Sequence, residues 1–364
     1  MIARISGAGH QLSKYTISDR EMAVGSTLGG PKATLLIKAT GALRKVYSPQ
    51  AGTDAFGALV LHHWNPGSGI PLVAAPGDFT IHPYRQEHLF ELSNGVTVHE
   101  DIFILSSAPR DGRHQVDPPG AYYAVRLRNE SGETIEMATY ASLRLKGGLN
   151  STGRTSYDAR RHAFVVRNDE RPDFVRIAGC SVRPASYEVT LDTAKTSAAQ
   201  FPGELSNTVL DEADDPIGIF HLAHRIRPGD QAEFYFLLSF SLEGEAAALK
   251  AFAALPDADE ARESTHAYYE VMLNRAVVMT PDPEVNRGVL WAKANMLRTQ
   301  TLTTQGWCFV NDPTRSNNSV ARDTCWYAFG ADYVNPEFAR ESLMWYARHL
   351  EPNGMVVEYF DIRS

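Results

Sequence analysis

Residues 121–145 read AYYAVRLRNESGETIEMATYASLRL, and this stretch decides the fold class. Successive side chains of a strand point to opposite faces, so Tyr123, Val125 and Leu127 share one side. Glu130-Ser131-Gly132 reads as a turn. After it, Ile135, Met137, Thr139, Ala141, Leu143 and Leu145 again share a face. The unit reads as strand, turn, strand. It repeats a pattern already present in residues 88–105, HLFELSNGVTVHEDIFIL. There Asn94-Gly95 suits the positive φ angles of a two-residue hairpin turn. Residues 231–242, QAEFYFLLSFSL, end the series with Ala232, Phe234, Phe236, Leu238 and Phe240 alternating. Period-two runs with short turns predict antiparallel sheets, and this many of them up to about Phe240 predict a large sandwich.

The period changes after Leu242. Residues 244–255, GEAAALKAFAAL, are Ala-rich and helical, and Pro256 stops them. Residues 258–277 continue as a second helix, which makes 243–280 a helical linker between a β domain at 1–242 and a helical domain at 281–364. In the latter, Val285, Val289, Ala292 and Met296 fall on one helical face, with Pro283 suited to the first turn. A helix is predicted from about Val320 to Tyr333. The next has Asn335 as N-cap and Pro336 at its first position, with an apolar stripe of Ala339, Leu343, Tyr346 and Leu350. Pro352-Asn353-Gly354 terminates it.

Composition narrows the function. With 43% hydrophobic and 21% charged residues the chain is globular. A formal net charge of −8 without a basic block argues against nucleic acid or an anionic membrane surface as partner. No apolar run reaches the roughly 20 residues needed to span a bilayer. Three cysteines, Cys180, Cys308 and Cys325, lack CxxC spacing and cannot all pair with one another, so a reducing cytoplasm is the expected compartment. His62-His63, His82, His88 and His99-Glu100-Asp101 lack zinc-finger or HExxH spacing, so no metal site is expected. Gly29-Gly30 reads as a turn, because it lacks the Walker lysine-serine pair and any Rossmann pattern. No cofactor is expected.

The order of a long β-sandwich, a helical linker and aromatic-rich helical hairpins resembles a known group. These are carbohydrate-active enzymes with an N-terminal β-supersandwich followed by an (α/α)6, or six-hairpin, barrel: glucoamylase-like, glycogen-debranching-like and cellobiose-phosphorylase-like. Residues 320–346, VARDTCWYAFGADYVNPEFARESLMWY, look like the segment where these families place an Arg-Asp pair at the innermost sugar subsite. Residues 352–361, PNGMVVEYFD, look like the following barrel loop. Residues 278–297, VMTPDPEVNRGVLWAKANML, look like the entry into the barrel, and 125–145 is similar to the phosphorylase-type N-domain. Only about the last 80 residues carry site-like motifs. The resemblance implies hydrolysis of α-glucosidic bonds in an oligosaccharide or glucan by an inverting two-carboxylate mechanism. Two alternatives stay open: an inverting disaccharide or oligosaccharide phosphorylase, and a non-catalytic sugar-binding or assembly module. The chain departs from the pattern in one respect. Such a barrel has twelve helices, and periodicity gives about three. The barrel is therefore expected to be incomplete, with general acid and base beyond Ser364 and no catalytic residue assigned. Its exposed apolar faces call for a homo-oligomer or the remainder of the barrel.

The candidate sugar-binding residues are Arg322, Asp323, Trp326, Trp307, Glu358 and Asp361. A carboxylate accepts hydrogen bonds from adjacent sugar hydroxyls, and a guanidinium donates several in a fixed fork. Arg322-Asp323 equally suits a salt bridge near a helix N-terminus. Trp307 and Trp326 could stack on a sugar face, and Trp326 lies three residues after Asp323 on one side of a helix. Trp291 and Trp345 sit within helical stripes and read as core. Glu358 and Asp361, three apart in a loop after a helix, are too close in sequence to flank a bond from both sides. They read as hydroxyl-binding groups or a solvated acidic loop. Asp312 reads as a turn former first and a ligand second.

Overall fold

The computed structural model describes residues 12, 14–18, 25–38, 41–108, 116–149, 153–197, 199–312 and 318–362. Two antiparallel sheets face each other. At the centre of the ten-stranded sheet, Val96–Ile104, Gly120–Asn129, Gln231–Ser241 and Val175–Cys180 lie side by side. At the centre of the nine-stranded sheet, Ile217–Ile226, Ile135–Arg144 and Leu59–Asn65 do the same. Period-two alternation turns one face of each sheet inward, and the inner faces merge in one core.

The decisive stretch is not a hairpin. Gly120–Asn129 stays in the ten-stranded sheet, whereas Ile135–Arg144 crosses into the other. Tyr123, Val125 and Leu127 thus meet Met137, Ala141, Leu143 and Leu145 across the sandwich. Asn129 makes the crossing possible. It is fully buried, and its Nδ2 donates to the carbonyls of Glu133 at 2.7 Å and Ile226 at 2.9 Å. Its Oδ1 accepts from the Ser131 backbone N–H at 2.9 Å. Backbone groups that a hairpin would have paired are satisfied by one side chain.

The second turn also differs in detail. Gly95 has φ +80°, but Asn94 is not left-handed. Gly95 N–H donates to Leu92 O at 2.9 Å, and Leu92 N–H to Val96 O at 2.8 Å. This is a three-residue loop, a type I turn followed by a left-handed glycine, which twists the flanking strands as well as the two-residue form does.

Two helices follow the last long strand. Helix α1, Glu245–Ala253, and helix α2, Ala258–Leu273, cover the outer face of the ten-stranded sheet. Asp257 caps α2 by accepting from Glu260 N–H at 2.9 Å. Helix α3, Pro283–Arg298, then packs on the end of α2. Its buried face is not the expected one. Leu290, Ala294 and Leu297 meet Tyr269, Met272 and Leu273, while Val285 is 47% exposed. Two apolar stripes compete on this helix. Lys293 settles the choice by donating to the carbonyls of Leu273 at 2.8 Å and Arg275 at 2.7 Å, capping the end of α2.

Gly29 and Gly30 close a hairpin whose turn is Pro31-Lys32. Gly29 has a second role. A Cβ there would lie 2.2 Å from the Arg298 carbonyl oxygen, so the bare backbone lets the end of α3 dock on the sheet. Arg298 Nη1 then donates to Thr27 O at 3.0 Å.

Helix α4, Ala321–Val334, and helix α5, Pro336–Arg348, form an antiparallel pair. Asn335 caps α5 as expected, accepting from Phe338 N–H at 3.4 Å. The buried stripe of α5 is Phe338, Ala339, Ser342, Trp345 and Tyr346. Leu343 and Leu350, expected inside, are 39% and 44% exposed. Trp345 and Tyr346 pack instead with Ala321 and with Phe360 of the short strand Tyr359–Asp361. No helix among the described residues is long and apolar enough to cross a membrane.

Candidate functional site

The N-terminal end of α4 organises the predicted residues. Strand Asn318–Val320 leads into it and pairs with Tyr359–Asp361. Ala321 N–H donates to Glu358 O at 2.7 Å. Val320 offers no side-chain cap, so the positive end of the helix meets the surface with only Asp323 in its first turn. Asn311 Nδ2 donates to one oxygen of Asp323, and Arg322 Nε donates to the other at 3.1 Å. The Asn311 hydrogen bond, followed by that from Arg322, holds the Asp323 carboxyl below its usual range. Each oxygen keeps further acceptor capacity. The result is an ionised carboxylate of fixed orientation beside an exposed guanidinium, a pair suited to hydroxyl groups.

The six predicted residues divide. Arg322 and Asp323 lie together, and Asn311 is the partner that sequence reading missed. Its only signal was its place beside Asp312, and nothing local says that it turns back on α4. Glu358 and Asp361 are brought near by backbone pairing. Glu358 is exposed, and Asp361 sits in a short strand opposite Asn318 rather than in a loop. Trp307 is half-buried on strand Gly306–Phe309, with its ring 5.9 Å from Phe338 and edge-on to it. It belongs to a packed seam in which Phe309 stacks on Tyr327 at 4.3 Å. Trp326 is 71% exposed and 5.8 Å from Phe329. By helical spacing it shares a stripe with Arg322, Phe329 and Tyr333, about 60° around the helix from Asp323. Trp345 is buried as expected, and Trp291 is half-buried against Tyr15 at 5.1 Å.

Asp312 does not join Asp323. It borders a separate open cleft of about 600 Å³ with Lys45, Arg44 and Arg144 of the sandwich. His62, His63, His88 and His99 lie on strands, and His82 lies between two of them. His62 bonds to Thr196 O at 3.0 Å, and Glu87 holds both His82 and His99. No cluster of three or more His, Cys, Asp or Glu able to hold a metal is found among the described residues. All three cysteines are free thiols.

No family model and no curated protein matches the chain. Solved structures do. A putative kojibiose phosphorylase from human microbiome superposes with a TM-score of 0.61 at 10% identity, covering 93% of this chain and 49% of that one. A bacterial glucoamylase complexed with acarbose gives 0.62 at 12% identity, covering 100% of this chain and 54% of that one. The fold is therefore glycoside hydrolase- and phosphorylase-like, a β-sandwich followed by helices. At these identities the likeness concerns the fold alone. The chain spans about half the length of those two structures.

Proposed function

We propose that this chain belongs to a carbohydrate-active protein. Our reading divides it into a β-supersandwich at 1–242, a helical linker at 243–280 and the first helices of an (α/α)6 barrel at 281–364. The activity proposed for the complete protein is inverting hydrolysis of α-glucosidic bonds in an oligosaccharide or glucan, with a carboxylic acid protonating the leaving oxygen and a carboxylate activating water. The observation that carries the reading is the Asp323 carboxylate, fixed by Asn311 and Arg322 at the open end of α4. Held below its usual range, Asp323 stays ionised near neutral pH and cannot donate a proton there. Its role in this reading is to hold sugar hydroxyls, together with Arg322 and with Glu358 at the rim. Trp326 borders the same end of the helix, and Trp307 lies against Phe338 of α5. The three free thiols support a cytoplasmic location.

A phosphorylase is the second reading, favoured by the match to the kojibiose phosphorylase structure. A non-catalytic sugar-binding or assembly module is the third. The exposed stripe of Trp326, Phe329 and Tyr333 favours a covering partner, either the remainder of a barrel or a second copy.

The test is calorimetric titration with maltotriose. Asp323→Asn removes a charge-assisted acceptor and should weaken binding about tenfold or more, while the melting transition stays put. Unchanged binding would remove the α4 end from the proposal. Glucose release measured with and without inorganic phosphate then separates hydrolysis from phosphorolysis, and binding without release leaves the module.

A further inference from the structure

The interior of the sandwich breaks its own pattern at one place. Along Val96–Ile104 the inward positions are Val96, Val98, Glu100, Ile102 and Ile104. Along Arg85–Glu91, His88 takes the inward position next to Phe90. Along Leu59–Asn65 of the other sheet, His63 follows Leu59 and Leu61. Alternation calls for an apolar side chain at each of the three. Glu100 is 5% exposed, and a carboxylate removed from water in a sandwich core costs several kcal/mol unless it is well partnered. Local rules broken in this way mark sites.

The three residues border one cavity. A cleft of about 510 Å³ opens between the sheets, with Glu100, His88 and Tyr123 on one side and His63 on the other. Its apolar walls include Phe90 and Leu61, and the exposed Ala75 and Pro76 form its rim. The polar groups are held in place. His88 Nδ1 lies 3.1 Å from Glu100 Oε2, and the Tyr123 hydroxyl bonds to Glu100 from beneath. His63 Nδ1 is fixed by Thr139 Oγ1 at 3.0 Å, and the Phe90 ring lies 4.7 Å from that of His88. The turn at Gly41 closes over the pair. A Cβ there would lie 2.7 Å from His88 Nδ1 and 2.9 Å from Glu100 Oε2, and its φ of +83° already demands glycine. The cleft is thus a preformed, mainly apolar pocket with a few fixed polar groups, the usual build of a small-molecule site.

The chemistry selects the ligand class. The Glu100 carboxylate repels anions and accepts from paired hydroxyls, imidazoles exchange hydrogen bonds with further hydroxyls, and the apolar wall suits the C–H face of a ring. We propose that this cleft binds a single neutral sugar ring, as a site separate from the end of α4. Nothing in it depends on the reading of Asp323.

The test uses the full chain with D-glucose, D-galactose and D-mannose as probes, by saturation-transfer NMR and calorimetry. At least one probe should bind saturably. Glu100→Gln should weaken it about tenfold, the worth of one charge-assisted hydrogen bond. Ala75→Trp, at an exposed rim position whose backbone N–H bond to Glu91 O the substitution keeps, should block the cleft and abolish binding even if Glu100→Gln folds poorly. The same titrations on a chain carrying Asp323→Asn remove any sugar held at the α4 end, and the cleft binding should persist there. Absence of binding by all three probes to the folded chain overturns the proposal, as does binding to the Asp323→Asn chain that survives Ala75→Trp. Monosaccharide binding lost on Asp323→Asn alone would assign the sugar to α4 and sink the cleft site while sparing the α4 reading.

Discussion

The sandwich and the helical segment after it treat their apolar side chains in opposite ways. In the sandwich, Phe56, Phe79, Phe164 and Phe220 are at most 2% exposed and belong to one core. In the helical segment, Trp326, Phe329 and Tyr333 are 71%, 69% and 72% exposed on one side of α4, and the buried residues fall into several small clusters. The sandwich satisfies itself, because two sheets supply each other's missing half. The helical segment offers surface that its own elements do not cover. Stability should therefore reside in the sandwich, and association in α4.

The comparison can be broken most directly by truncation. Phe220→Ala empties a site at the centre of the core and should cost about 3–5 kcal/mol, read as a shift of the urea midpoint. A cost under about 1 kcal/mol would mean that the sandwich does not carry the global stability. The next effect is that of pH. Burial holds His63 down to about 3, with His224 and His62 adding to the shift, and burial holds His224 down to about 4. The unfolded chain takes up these protons near the ordinary imidazole value of 6.5, whereas the folded chain does not. Unfolding then binds protons, so stability is lost as pH falls from 6.5 toward about 4 and is unaffected above 6.5. The slope is about 1.4 kcal/mol per pH unit for each histidine. Urea midpoints across that window check this, and a profile with no such slope would mean that the histidines are not buried as described. The smallest effect belongs to the other region. Trp326→Ser and Phe329→Ser should each change stability by less than about 0.5 kcal/mol, because little is buried there. They should, however, shift sedimentation toward smaller species if a second copy covers the stripe. A large loss of stability in either variant would show that the two regions do not differ as described.

Sequence reading reached the strands and helices because both follow from local periodicity. It misplaced partners. Residues 121–145 were legible as two strands, yet not as strands of different sheets, since the crossing depends on Asn129 meeting Ile226. On α3 both faces carry apolar residues, and the end of α2 chose between them through Lys293. At the candidate site Arg322 and Asp323 were legible as a pair. Asn311 was not, because a loop residue twelve positions away gives no periodic signal.

The sequence alone determined the β-sandwich followed by helices and the cap at Asn335. These are matters of backbone geometry and nearest neighbours, which a few consecutive residues settle. Only the tertiary structure decided which sheet each strand joins, which helix faces are covered, how Asp323 is held, and that His63 lines the same cleft as His88 and Glu100. Each of these rests on contacts between residues distant in the chain. Their energies depend on what the rest of the fold brings alongside, and a residue's own neighbours in sequence do not record that.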